Sequence, residues 1–155
     1  MSLHICEVTA DNWLHVSRLS VSNYQEKFIE SNLFSLAQSK FEPQWKSMGL
    51  YDEDVLVGYA MYGWDKKNKQ VWLDRFMIDQ KFQGKGYATR FLPLLIQLIK
   101  DNYDCKKLYL SVYPENEQAI QLYEKFGFRL NGEKDEDGFV HGLVMEAELT
   151  RRSKV

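Results

Sequence analysis

The sequence predicts a mixed α/β (α+β) fold in which helices pack on a central sheet. Residues 45–78 contain runs rich in Val, Tyr, Trp and Met that are separated by short polar turns, which is typical of an antiparallel meander. From residue 87 onward the apolar spacing becomes helical, and helices then alternate with strands. The length of 155 residues predicts one domain over 1–155, since a single domain commonly holds ~100–200 residues.

The N-terminal half is predicted to contain a strand, two helices and the meander. Leu3–Val8 alternates as a strand, and Thr9 is a candidate N-cap for a helix that runs through Leu19. Residues 23–38 carry a loose helical spacing and are predicted as a second helix. The meander strands are predicted at Trp45–Tyr51, Val55–Gly63 and Val71–Ile78.

The C-terminal half is predicted to alternate helices and strands. Tyr87–Lys100 carries a helical apolar face, and Pro93 inside it removes a backbone bond and allows a kink. Lys106–Tyr113 is predicted as a strand, after which Asn116 caps a helix that ends at Gly127. The closing strands are predicted at Phe128–Asn131 and Phe139–Leu149, around an acidic turn at Lys134–Gly138.

Composition excludes several classes of protein. Twenty basic and twenty-two acidic side chains give a formal charge of −2, which leaves no broad basic surface for nucleic acid. The longest apolar stretch, 91–96, is far shorter than the ~20 residues of a membrane span, and the N-terminus lacks signal-peptide features. Cys6 and Cys105 are too few for a disulfide framework, and no Cys/His cluster has metal-site spacing. We therefore expect a cytoplasmic protein without a metal, a nucleic-acid partner or a membrane association.

The most informative motif is Gln83-Gly84-Lys85-Gly86-Tyr87-Ala88, which lies between a predicted strand and a predicted helix. Its glycines accept positive φ, so that successive N–H groups can converge on an anion at the positive end of the helix dipole. The motif therefore predicts a diphosphate site, with an ordinary strand-to-helix turn as the alternative. Neither the GxxxxGK[ST] nor the GxGxxG pattern fits these residues.

The spacing Gln83-x-x-Gly86-x-Ala88 resembles the acyl-CoA signature of the GNAT N-acetyltransferase superfamily. The segment 116–128, Asn-x-x-Ala-x-x-x-Tyr-x-x-x-Gly-Phe, resembles the second conserved segment of that superfamily. The resemblance spans nearly the whole chain and implies a mostly antiparallel central sheet of about seven strands with helices on both faces.

Segments 28–31, 57–62 and 71–76 resemble the diamine/spermidine/spermine N-acetyltransferases within this superfamily. This resemblance implies that acetyl-CoA donates an acetyl group to a primary amine of a small polyamine, by direct attack in a ternary complex. It also makes a homodimer plausible. Three other functions stay open: acetylation of an aminoglycoside, an amino acid or a protein N-terminus; non-catalytic sensing of acyl-CoA; and binding of a nucleotide phosphate.

The same resemblance assigns residues to acetyl-CoA and to the proton transfers. Tyr123 is implied as the general acid on the departing CoA sulfur, although a core aromatic is the alternative that its helix position allows. The implied cofactor-binding residues are Phe76, Met77, Ile78, Gln83, Gly84, Lys85, Gly86, Tyr87, Ala88, Thr89, Asn116 and Tyr123.

Acidic and aromatic residues are the candidates for binding the amine. Asp74 stands in mid-strand, where Asp is disfavoured, and strand alternation places it on the face of Trp72 and Phe76. The resemblance implies that it faces the acceptor as a base or an ammonium anchor, while a solvent-exposed position is the alternative. Glu30 in the second predicted helix is either a second anionic contact or a solvated residue. Tyr62 and Trp72 are predicted to add aromatic faces for a cation.

Overall fold

Seven strands and four α-helices make up the part of the chain that the computed structural model describes, residues 2–136 and 141–149. The elements are β1 (Leu3–Glu7), α1 (Trp13–Arg18), α2 (Asn32–Phe41), β2 (Trp45–Asp52), β3 (Val55–Asp65), β4 (Gln70–Ile78), α3 (Tyr87–Asn102), β5 (Lys107–Val112), α4 (Glu117–Lys125), β6 (Arg129–Asp135) and β7 (Gly142–Glu148). Single 3₁₀ turns at Glu26–Phe28 and Gln80–Phe82 precede α2 and α3. None of the helices described is both long enough and apolar enough to cross a bilayer.

The strands form one sheet in the order β1-β2-β3-β4-β5-β7-β6. Every neighbouring pair is antiparallel except β4 and β5, which are parallel because α3 connects them. The predicted meander and the predicted mostly antiparallel sheet of seven strands are therefore confirmed.

Two apolar clusters cover the two faces of the sheet. The larger contains Phe91 and Leu95 of α3, and side chains of α4 pack against it. The smaller contains Val16 of α1 together with Tyr59 and Met61 of β3, and side chains of α2 pack against it. Because successive strand residues point to opposite faces, β3 contributes to both clusters. Helices therefore lie on both faces of the sheet, as predicted.

The parallel strands β4 and β5 pair at one end and then separate. In the described chain their register partners are Val71 with Leu108 and Trp72 with Tyr109. Both strands continue beyond these pairs, β4 as far as Ile78, without pairing to each other. One edge of β4 therefore presents its backbone N–H and C=O groups to a gap in the middle of the sheet, where they need other partners.

The predicted start of the first helix is wrong by several residues. The helix begins at Trp13, because Thr9 and Asn12 close a turn of their own in which the Thr9 N–H donates to Asn12 Oδ1 at 2.8 Å. This turn uses the side chain of Asn12, and Thr9 does not cap the helix.

The predicted helix over 23–38 is also wrong, because two separate elements occupy this range. The 3₁₀ turn is followed by Ile29 in an extended conformation, with φ of −153°. Ser31 then caps α2, since its Oγ accepts from the Phe34 N–H at 3.1 Å. Glu30 was predicted to lie on the second helix, but it lies in an extended segment before α2.

The closing strands also differ from expectation. The first closing strand extends to Asp135, because it pairs with β7 as far as Gly142. Lys134 and Asp135 of the predicted acidic turn are thus strand residues. Asp137 and Gly138 of that turn and the predicted strand start at Phe139 lie outside the described residues. α3 runs through Pro93 as one helix.

Candidate active site

The gap between β4 and β5 opens into a cavity of about 930 Å³. This is a large volume for a small-molecule site, since such sites commonly measure ~300–1,000 Å³. We divide the cavity into two parts. The helix arm is lined by residues within 76–89 and 111–123, and the acidic arm by residues within 28–42 and 73–75.

The turn before α3 presents backbone N–H groups to the helix arm. Gly84 and Gly86 adopt φ of +79° and +84°, and Gly86 occupies the N-cap position without a side chain to bond the helix. Within the described chain, no acceptor receives the N–H groups of residues 83–89. A Cβ placed on either glycine would meet nothing within 4 Å. Open N–H groups at the positive end of a helix form a site for an anion such as a diphosphate.

Gln83 and Tyr87 hold this turn in place. Gln83 Nε2 donates to the Ile78 carbonyl at 2.9 Å and to Gln25 Oε1 at 3.0 Å, which connects the end of β4 to the segment before α2. The Tyr87 hydroxyl donates to Asp52 Oδ2 at 2.6 Å, and this bond raises the pKa of Tyr87. These two side chains therefore link the turn to the end of β4, to the segment before α2 and to the end of β2.

The other predicted residues of the helix arm lie on or near its walls. Phe76, Met77, Ile78, Gln83, Gly84, Gly86, Tyr87, Ala88, Thr89, Asn116 and Tyr123 all line the cavity. Asn116 caps α4, since its Oδ1 accepts from the Ala119 N–H at 3.3 Å. Lys85 lies outside the described lining, with its Nζ 5.8 Å from the centre of the Phe82 ring.

Tyr123 extends from α4 into the helix arm. Its ring meets that of Phe128 edge to face, with 5.8 Å between the centroids. Burial raises the pKa of the Tyr123 phenol, so the group keeps its proton at neutral pH. Its hydroxyl has no hydrogen-bond partner in the described chain and is not a fully buried atom, so its proton is open to a ligand in the cavity.

A β-bulge turns Asp74 into the acidic arm. Met61 of β3 pairs with Arg75 and Tyr62 pairs with Leu73, so Asp74 has no partner residue on β3. The prediction that Trp72, Asp74 and Phe76 share one face is therefore wrong, because the bulge reverses the alternation of side chains. Burial raises the pKa of Asp74, with Arg75 opposing this rise and Glu30 adding to it.

Arg75 is the centre of the acidic arm, and sequence reasoning missed it. Its Nε lies 3.1 Å from Glu30 Oε2, and its Nη1 pairs with Asp74 Oδ2. Nε also donates to Ser35 Oγ at 3.1 Å, and Nη2 donates to Gln38 Oε1 at 2.9 Å. Two carboxylates share one guanidinium here, so the three groups carry one net negative charge. An arginine beside an aspartate in the middle of an apolar strand was the sequence signal for this network.

Tyr62 and Trp72 lie away from the cavity. Tyr62 is only 2 % exposed, and its ring contacts Tyr103 edge to face at 6.1 Å. Trp72 lies where β4 and β5 are still paired, and it stacks on Tyr109 at 5.8 Å. Neither ring lines the cavity, so the proposed site leaves them out. The aromatic residues that line the acidic arm are Phe28, Phe34 and Phe41.

Comparison with known proteins identifies the family. A profile of the acetyltransferase (GNAT) family matches residues 13–128. The chain belongs to the GNAT family. This GNAT acetyltransferase is 46 % identical over 144 residues to a spermine/spermidine N(1)-acetyltransferase of Bacillus subtilis (strain 168), across 89 % of this chain and 95 % of that protein. It is 40 % identical over 73 residues to a spermidine N(1)-acetyltransferase of Escherichia coli (strain K12), across 47 % of this chain and 39 % of that one.

Solved structures of GNAT proteins share the fold. The spermidine N-acetyltransferase from Vibrio cholerae in complex with CoA and spermine aligns with a TM-score of 0.75 at 19 % identity, over 94 % of this chain and 95 % of that one. An acetyltransferase from Thermus thermophilus aligns with a TM-score of 0.71 at 21 % identity, over 96 % and 98 % of the two chains. The family profile confirms the predicted superfamily, and the solved structures confirm the predicted fold.

Proposed function

We propose that this GNAT protein transfers the acetyl group of acetyl-CoA to a primary amine of a small polyamine such as spermidine or spermine. The observation that carries the proposal is that one cavity joins an anion-binding turn to an acidic arm. The first suits the diphosphate of CoA, and the second suits an amine that carries several positive charges. The substrate named for the Bacillus subtilis relative supports the same class of acceptor.

The helix arm suits CoA through its open N–H groups and the unpaired edge of β4. Residues 83, 84 and 86–89 line the cavity, and the N–H groups of this turn have no acceptor in the described chain, which suits a diphosphate. Phe76, Met77 and Ile78 line the cavity along the unpaired edge of β4. That edge offers backbone groups to the amides of the pantetheine chain, which would place the thioester near the bulge at Asp74.

Val in place of Gly86 is expected to weaken binding of CoA by about tenfold or more. The cause is the backbone and not crowding by neighbouring atoms, because φ at Gly86 is +84° and the added Cβ meets open space. A β-branched residue resists positive φ and would turn the N–H groups of the turn away from the ligand. Titration calorimetry with CoA measures the change.

Gly132→Val is the matched control for this substitution. Gly132 on β6 has φ of +87°, and a Cβ there also meets nothing within 4 Å. It lies outside the described lining of the cavity. We expect a comparable loss of stability with unchanged affinity for CoA. Equal losses of affinity in the two variants would contradict the assignment of the diphosphate to the turn before α3.

The residues of the two arms can supply both proton transfers. A primary ammonium has a pKa of about 10.4, so only roughly one molecule in 10³ is a free amine at neutral pH. Asp74 would take the ammonium proton and pass it to solvent. The amine would then form the C–N bond as the C–S bond of the thioester breaks, and its nitrogen would lose a second proton to solvent. Tyr123 would give its proton to the departing thiolate and regain one from solvent. The products are the amide and the free thiol, with one proton released.

The shape of the acidic arm fits the remainder of a polyamine. Four carboxylates line the cavity: Glu30 and Asp74, which share the Arg75 guanidinium, together with Glu42 and Asp135. Phenylalanine rings between them can cover methylene groups and attract ammonium groups by cation–π contact. The cytoplasmic location and the homodimer expected from the sequence stay predictions.

A thiol-release assay with acetyl-CoA and a panel of amines tests the proposal. The panel contains spermidine, spermine, putrescine, an aminoglycoside and a peptide with a free N-terminus. We expect the highest kcat/KM with spermidine or spermine. A preference for the peptide or the aminoglycoside would contradict the proposed acceptor. Binding of acetyl-CoA without turnover of any amine would instead indicate an acyl-CoA sensor.

A further inference from the structure

We propose that Arg75 is a positioning residue for acetyl transfer, whose guanidinium keeps Asp74 ionised and directs its carboxylate toward the acceptor amine. The inference rests on the proposed function, since it takes Asp74 as the group that receives the ammonium proton. Arg75 itself acts through its two carboxylate partners and is not assigned a contact with the substrate.

The bonds of Arg75 connect three parts of the acidic arm. On its own strand, Nη1 pairs with Asp74 Oδ2 and donates to the Asp74 carbonyl at 3.1 Å. Nε reaches Glu30 in the segment before α2 and Ser35 inside α2, while Nη2 reaches Gln38 one turn later. All three nitrogens are used. A guanidinium can make this set of bonds because its donors lie in a fixed planar fork, which the ammonium of lysine lacks.

The burial of this network makes its charges interdependent. Arg75 is 7 % exposed, Glu30 10 % and Asp74 21 %. Buried charges need partners, so removal of the guanidinium would leave two carboxylates facing each other with little solvent. One of them would then take up a proton, as happens when like charges share a site.

The other charged groups around Asp74 cannot replace Arg75. Glu30 and Asp135 on β6 both raise the pKa of Asp74, and Arg75 opposes them. The Tyr59 phenol on β3 is neutral, because burial raises its pKa to about 12. Arg75 is therefore the cation that opposes both neighbouring carboxylates at Asp74. The formal charges of Asp74, Glu30 and Arg75 sum to one negative charge, which suits one substrate ammonium.

Arg75→Gln is the main test, read as the pH profile of kcat/KM for spermidine between about pH 5.5 and 9.5. Loss of the guanidinium raises the pKa of Asp74, so the carboxylate is present only at higher pH. The acid limb of the profile should move to higher pH by about one pH unit or more. On that limb kcat/KM should fall at least about tenfold, and this deficit should shrink as the pH rises. Arg75→Lys keeps the charge and should largely restore the limb, with a lower kcat.

Two further variants separate this role from simple stabilisation of the arm. Ser35→Ala removes the hydrogen bond that the same guanidinium donates to an uncharged hydroxyl, and the acid limb should stay in place. Glu30→Gln removes a negative charge from beside Asp74 and should move the limb to lower pH, opposite to Arg75→Gln. Glu30→Gln also keeps the inference testable if Arg75→Gln does not fold. A limb that moves in neither Arg75→Gln nor Glu30→Gln would overturn it.

Carbon-13 NMR titration of the Asp74 carboxyl reads the same effect without turnover. The pKa of Asp74 should be higher in Arg75→Gln than in the unaltered protein, with CoA present in both samples. An unmoved Asp74 pKa contradicts the inference about Arg75. Absence of polyamine acetylation by the unaltered protein contradicts the proposed function instead, so the two failures are distinguishable.

Discussion

Replacing Tyr123 by Phe is expected to lower kcat about 10²–10³-fold, in the range of general acid–base contributions, with little change in the affinity for acetyl-CoA. Phe keeps the ring and its edge-to-face contact with Phe128, so the wall of the helix arm is preserved. It removes the phenolic proton that would pass to the departing thiolate. The loss is therefore confined to the chemical step.

Single-turnover kinetics and a separate binding titration of acetyl-CoA measure the effect of Tyr123→Phe. Tyr109→Phe is the matched control, because Tyr109 stacks on Trp72 outside the described lining of the cavity and should keep the full kcat. Since burial raises the pKa of Tyr123 above its usual value of 10, no basic limb from this phenol is expected below about pH 10. An unchanged kcat in Tyr123→Phe would remove this residue from the mechanism.

The local part of the fold could be predicted from the sequence. The meander strands were located to within about two residues because each is bounded by a polar turn and filled with β-forming residues. The turn at 83–88 could be recognised because its signal is local: two glycines stand directly before the start of a helix. The approximate end of α4 at Gly127, with φ of +93°, follows from equally local chemistry.

The acidic arm could not be derived in the same way, because it depends on contacts between distant segments. The bulge at Asp74 is set by the register of β4 on β3, and it reverses which residues share a face. Arg75 meets partners roughly 40 residues earlier in the chain. The break at Ile29 was also missed, since the apolar spacing on both sides matches one helix, although Ser31 was a local signal for a new helix start.

Replacing Asp74 by Asn is expected to reduce kcat/KM for spermidine about 10²–10³-fold at neutral pH, through a lower kcat and a higher KM. The amide has nearly the shape of the carboxylate and can still accept a bond from Arg75. It cannot take a proton from the ammonium or offer it a negative charge. Affinity for CoA should stay the same, because the proposed diphosphate site lies on the other arm. Asp65→Asn, at the end of β3 and outside the described lining of the cavity, is the control and should keep full activity.

The pH dependence of the Asp74→Asn deficit separates the two roles open to this carboxylate. If Asp74 is the base, the deficit in kcat should shrink toward about pH 10, where a large share of the amine is already free of its proton. If Asp74 only anchors an ammonium, KM should carry most of the loss and kcat should recover little. The raised pKa of Asp74, caused first by burial, favours the base, because a carboxylate that binds protons more strongly removes them more readily. A kcat/KM equal to that of the unaltered protein at every pH would contradict both roles and leave Asp74 as a partner of Arg75 alone.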